Sequence, residues 1–121
     1  MGKITACFLM ILALIILLST ACGADSGGKG RVVEIVQTDE ACTPSTIAAS
    51  PGEKLTLKVR NDGKKDREIE GIEGTKLEEV KIPAGRTRSA DFTTQKKAGV
   101  QKIKCYVPDG STTVLSVTVG G

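Results

Sequence analysis

The sequence predicts an all-β sandwich, on three observations. Apolar residues recur at every second position, no segment carries a helical stripe, and turn signals containing Gly or Pro interrupt the chain at short intervals. About eight short strands at roughly 8–12-residue spacing describe an antiparallel sandwich or Greek-key barrel.

The strands follow in order. Val32–Gln37 is a run of Val and Ile that opens the folded part near Arg31, and Ile47–Ala49 comes next, closed by Ser50-Pro51-Gly52. Lys54–Arg60 is the clearest strand. Leu55, Leu57 and Val59 share one face while Lys54, Thr56, Lys58 and Arg60 share the other, as a strand with one wet face requires. After the turn Asn61-Asp62-Gly63, Asp66–Ile69 places Asp66, Glu68 and Glu70 on one side and Arg67 and Ile69 on the other. Leu77–Ile82 runs to Pro83-Ala84-Gly85, Arg88–Phe92 follows, and Ala98-Gly99 leads into Val100–Cys105. There Gln101, Ile103 and Cys105 face one way and Lys102 and Lys104 the other, so Cys105 is expected to point inward. Pro108-Asp109-Gly110 precedes the last strand, Thr113–Val119. The expected core is Leu55, Leu57, Val59, Ile69, Val80, Ile82, Phe92, Ile103, Leu115, Val117 and Val119.

The N-terminal segment places the protein outside the cytoplasm. Lys3 supplies the charged n-region, Phe8–Leu18 an apolar h-region, and Ser19-Thr20-Ala21-Cys22 small residues before a cleavage point. Ser-Thr-Ala-Cys resembles the bacterial lipobox, which implies that Cys22 is acylated and becomes the first residue of a membrane-anchored, extracytoplasmic protein, periplasmic or on the outer surface. The aliphatic residue expected in that motif sits one place early, at Leu18. The alternative is an uncleaved anchor over Ile4–Ala21, at the lower edge of what spans a bilayer. The division is then a signal peptide over 1–21, a flexible Gly/Ser-rich spacer over 22–30 and one domain over 31–121.

Removing residues 1–21 from 121 leaves 100, enough for one core. With Phe92 and Tyr106 as its aromatics and no Trp, that core is built from Val, Ile, Leu and Ala. Loss of Lys3 leaves 16 Lys and Arg against 14 Asp and Glu, interspersed, and nothing in that pattern favours a nucleic-acid partner. Cys42 and Cys105 are the two cysteines left for the domain, and an even pair outside the cytoplasm suggests a disulfide. Closing that loop is worth about 4 kcal/mol in the chain-entropy account.

Histidine is absent from the chain. Ser-His-Asp and Cys-His catalysis therefore fall away, as does the blue-copper site with its two imidazoles beside a thiolate, and an enzyme is not expected. Gly27-Gly28-Lys29-Gly30 lies in the spacer, outside any strand–helix context that would make a phosphate loop. The candidate metal ligands that remain are Cys42, Cys105 and the carboxylates Asp66, Glu68 and Glu70. A wet strand face beside lysines is the commoner explanation of the carboxylates, and an inward Cys105 suits a buried disulfide and a sheltered metal ligand alike.

The order of these elements resembles a cupredoxin-like domain over residues 31–121. The matching features are an opening strand, Cys42 with Pro44, Pro51-Gly52-Glu53, a strand ending in Asn61, Ile82-Pro83-Ala84-Gly85, Ala98-Gly99, and Cys105 with Pro108 before a final strand. Arg67 stands where that plan has a copper histidine, and the loop after Cys105 has neither histidine nor methionine. The chain is more narrowly similar to the cupredoxin-like N-terminal domain of EfeO-type iron-uptake proteins, through Cys42 with Pro44, Glu68 with Glu70, Pro83-Ala84-Gly85 and Cys105. That resemblance implies copper or iron at Cys42, Glu68 and Cys105, with Ile103 where the family has a methionine, and an iron-uptake or redox protein as partner. Two functions follow: a lipid-tethered module for copper or iron handling or electron transfer without a type 1 copper site, or a non-metal binding or structural module whose cysteines are bridged.

Overall fold

The computed structural model describes residues 30–120; the signal peptide, Cys22 and the spacer up to Lys29 lie outside the described residues. Nine strands are present among them: β1 Arg31–Gln37, β2 Cys42–Thr43, β3 Thr46–Ala49, β4 Lys54–Asn61, β5 Arg67–Ile72, β6 Val80–Ile82, β7 Thr87–Thr93, β8 Gly99–Tyr106 and β9 Thr112–Val119. No helix among the described residues is long and apolar enough to cross a membrane.

The strands form two sheets, ordered β2-β1-β4-β7 and β3-β9-β8-β5-β6. Three connections stay within a sheet, β1–β2, β5–β6 and β8–β9, and all the others change sheet. The predicted sandwich is therefore present, but its sheets are mixed rather than antiparallel. β1 pairs with β4 in parallel, Val33 beside Leu57, and β3 pairs with β9 in parallel, Ile47 beside Val117. The reason is the sheet changes: the chain leaves the first sheet through β3 and re-enters at β4 running in its original direction. Turn signals mark where a chain reverses, not which sheet receives it.

Alternation of side chains decides the core, and each strand buries one face between the sheets. Leu55, Leu57, Val59, Ile69, Ile82, Phe92, Ile103, Leu115, Val117 and Val119 are buried as expected; Val80 is partly buried, and Ile35, Ile47, Leu77, Cys42 and Cys105 complete the cluster. Phe92 is opposite Leu55 across the β4–β7 ladder and is the largest side chain in the core.

Local chemistry sets several boundaries. In Ser50-Pro51-Gly52-Glu53 the Glu53 N–H donates to the Ser50 carbonyl at 3.2 Å, and Gly52 takes a φ of 67° that a side chain disfavours. The two-residue strand β2 was not expected, because Cys42-Thr43 is too short to show a period. β6 is shorter than the expected 77–82. Leu77 bonds through its N–H to the Thr75 carbonyl and through its C=O to the Gly71 N–H, so residues 75–77 fold over Gly71 rather than extend the ladder.

Strand directions sort the loops into two ends. Loops 38–41, 62–66, 83–86 and 107–111 gather at one end, and 50–53, 73–79 and 94–98 at the other. The chain enters β1 at the second end, where Arg31 pairs with Glu53 at 2.7 Å.

Candidate functional site

The chemistry-bearing residues collect at the first loop end. Cys42 begins β2 opposite Gln37 of β1, and Cys105 lies near the end of β8 opposite Ile69 of β5. Both cysteines are buried, and their sulfurs are bonded, with Cα atoms 6.4 Å apart and a sequence separation of 63. Because β2 belongs to one sheet and β8 to the other, the disulfide ties the sandwich together across its core.

Asn61, fully buried at the end of β4, organises the loops around the bridge. Its amide donates to the carbonyls of Lys65 at 2.8 Å and Ile82 at 2.9 Å, and its oxygen accepts the Gly63 N–H at 2.9 Å. The position therefore serves loop closure. Two neighbours in this end are less well matched. Gln37 donates to the Glu68 carbonyl at 3.4 Å while its own Oε1 has no partner. Arg67 is 3% exposed, its nearest carboxylate is Asp39 at 3.6 Å, and its Nε has no hydrogen-bond partner. Arg67 lines an open hollow of about 350 Å³ together with Asp39, Lys65, Val107, Gly110 and Ser111.

The carboxylates of β5 stand elsewhere. Directly opposed residues in a ladder share a face, and Glu68 opposes Tyr106 while Ile69 opposes Cys105. Glu68 therefore belongs to the outer face of its sheet and Cys105 to the inner one. On that outer face Lys104 pairs with Glu70 at 3.0 Å and sits 3.9 Å above the Tyr106 ring, whose hydroxyl donates to Glu79. Burial first, and then the Glu68 and Glu79 carboxylates as acceptors, push the Tyr106 phenol well above its ordinary value and keep it protonated. Asp66 accepts the Ala84 N–H at 3.1 Å and pairs with Lys81 at 3.2 Å, and these contacts, the backbone bond foremost, lower its pKa.

Cys42 and Cys105 are thus brought together, while Glu68 is not brought to them. Among the described residues no group of three or more His, Cys, Asp or Glu side chains is placed to hold a metal ion. With both sulfurs bonded to each other and the carboxylate on the far side of a sheet, the residues present do not fit a bound copper or iron in this state. The hollow over Arg67 was missed from the sequence. The signal that pointed toward it was an arginine in phase with Ile69 on the inward face of a strand.

A family model described as a cupredoxin-like domain matches residues 8–116. Among solved structures the chain is similar to the dithionite-reduced auracyanin of Roseiflexus castenholzii, at 15% identity with a TM-score of 0.61, covering 78% of this chain and 100% of that one. Auracyanin B is 13% identical with a TM-score of 0.60 over 78% of this chain and 96% of its own. The copper nitrite reductase of Nitrosomonas europaea is 16% identical with a TM-score of 0.52, over 62% of this chain but 32% of its own. At such identities the likeness is one of fold. No curated protein matches the chain.

Proposed function

Because the chain belongs to the cupredoxin-like domain family, we propose that it is a lipid-anchored, extracytoplasmic cupredoxin-like module without a type 1 copper site, acting by binding at its loop end and not as an enzyme. The observation that carries this reading is the bond between Cys42 and Cys105. A sulfur in a disulfide is not a thiolate ligand, and without histidine no imidazole is available to replace it. Anchoring through Cys22 rests on the h-region and Ser19-Thr20-Ala21-Cys22. Tethering from that side suits a module whose described chain enters β1 at the end opposite the disulfide.

A second reading is favoured by the same cysteines. Reduction would leave two thiols side by side at the protected end of a fold shared with auracyanins and a copper nitrite reductase. Such a pair suits a thiophilic ion, in copper or iron handling or in electron transfer with an iron-uptake or redox partner. Glu68 would join it only if β5 rearranged.

Intact mass of the protein extracted from membranes separates the two readings. The first expects diacylglyceryl mass on Cys22, the loss of two hydrogens for the bridge, and no retained metal. Free thiols with a bound ion would favour the second, and unchanged processing of Cys22→Ser would remove the anchor from both.

A further inference from the structure

We propose that the hollow at the loop end binds a small oxyanion, a free carboxylate or phosphate, on the Arg67 guanidinium. Buried polar groups nearly always have partners, and one that lacks them calls for an ion or water in its place. Arg67 is 3% exposed, yet its Nε is unpartnered, and its ion pair to Asp39 is 3.6 Å long, to a residue whose side chain is 55% exposed. The side chain is held there by the strand: Arg67 shares the inward face of β5 with Ile69, so it cannot turn out to water without breaking the alternation. A guanidinium presents its donors in a planar fork that matches the oxygens of carboxylates and phosphates.

The surroundings suit such a guest. Arg67 and Lys65 carry positive charge against the single carboxylate of Asp39, leaving the lining with a surplus of one positive charge. A volume of about 350 Å³ exceeds the roughly 30 Å³ that one liquid water takes. The wall formed by Val107, Gly110 and Ser111 is a closed turn, with the Val107 N–H donating to the Ser111 carbonyl at 2.9 Å and the Gly110 N–H to the Val107 carbonyl at 2.8 Å. Asp39, which also lines the hollow, accepts the Lys64 N–H at 3.2 Å. The competing explanation is a single water joining the unpartnered Gln37 Oε1 and Arg67 Nε, with no ion involved.

Titration of the isotope-labelled full-length protein in detergent micelles decides between them, with inorganic phosphate and acetate added separately at constant ionic strength. The arginine Nε–H resonance absent from Arg67→Lys is the reporter. A saturable shift of that resonance with one anion supports the site and assigns it to the phosphate or the carboxylate class. Lys65→Gln, at an exposed position, is then expected to weaken the affinity about two- to fivefold, and Asp39→Asn to strengthen it by a similar factor. No saturable shift with either anion would leave the bridging water and overturn the proposal. A shift indifferent to both Lys65→Gln and Asp39→Asn would overturn it too, by placing the anion elsewhere. Should Arg67→Lys fail to fold, the two exposed variants still read out the site.

Discussion

Glu68 and Cys105 lie on opposite faces of one sheet, because Glu68 opposes Tyr106 and its neighbour Ile69 opposes Cys105 in the β5–β8 ladder. One residue of register separates a carboxylate beside the bridge from a carboxylate among lysines and a tyrosine. Metal binding is where that step is felt. The oxidised protein is expected to give no intense blue band with Cu(II), having no imidazole and, among the described residues, no free thiolate to offer. If the reduced protein takes up Cu(I), Glu68→Ala should leave the affinity unchanged while Cys105→Ser abolishes it. Loss of Cu(I) binding in Glu68→Ala, followed by competition with a chromophoric chelator, would contradict the observed register.

The inter-sheet disulfide should carry a large share of stability. Cys42 and Cys105 are 63 positions apart, so cleavage frees a long loop in the unfolded chain. Reduction, or paired Cys42→Ser and Cys105→Ser substitution, is expected to lower unfolding free energy by up to about 4 kcal/mol in urea titrations. A change below about 0.5 kcal/mol, the range of ordinary surface substitutions, would mean that the sheets hold without the staple.

Gly71 is predicted to be intolerant for a steric reason rather than a conformational one. A Cβ there would fall on the Thr75 carbonyl oxygen and against the Leu77 N–H, both backbone atoms that cannot swing aside. Gly71→Ala should therefore destabilise by about 1–3 kcal/mol, as overpacking does, and free the 75–77 turn that carries the buried Leu77. Hydrogen exchange at Gly71 and Leu77 would report the local opening; unaltered exchange and stability would contradict the packing.

Tyr106 gives the fold an alkaline limit. Its phenol is pushed above the ordinary value of 10.0, by burial first and by Glu68 and Glu79 second, so folding favours the neutral form. The resulting stabilisation is fully present below pH 10 and declines as the pH rises above it, where the unfolded chain releases the proton and the folded chain retains it. Since the chain has one tyrosine, ultraviolet difference titration reads this residue alone. Ionisation should coincide with unfolding, and Tyr106→Phe should flatten the alkaline fall in stability. A phenolate forming at the ordinary value in the folded protein would refute it.

What the sequence determined by itself was local. The alternation in Lys54–Arg60 and Val100–Cys105 named the buried faces of β4 and β8, because successive side chains on an extended backbone must point to opposite sides whatever else the chain does. Pro51-Gly52 and Pro83-Ala84-Gly85 marked turns for a similar reason, Gly52 and Gly85 taking up positive φ. The same alternation turned Arg67 inward with Ile69. Tertiary structure decided the relations between segments. Parallel pairing of β1 with β4, the step that sends Glu68 away from Cys105, and the meeting of Asp39 with Arg67 and Ser111 in one hollow join residues distant in sequence. Such pairings are fixed only when two sheets bury their apolar faces against each other, and no periodicity within a single strand encodes which partner, or which register, that packing selects.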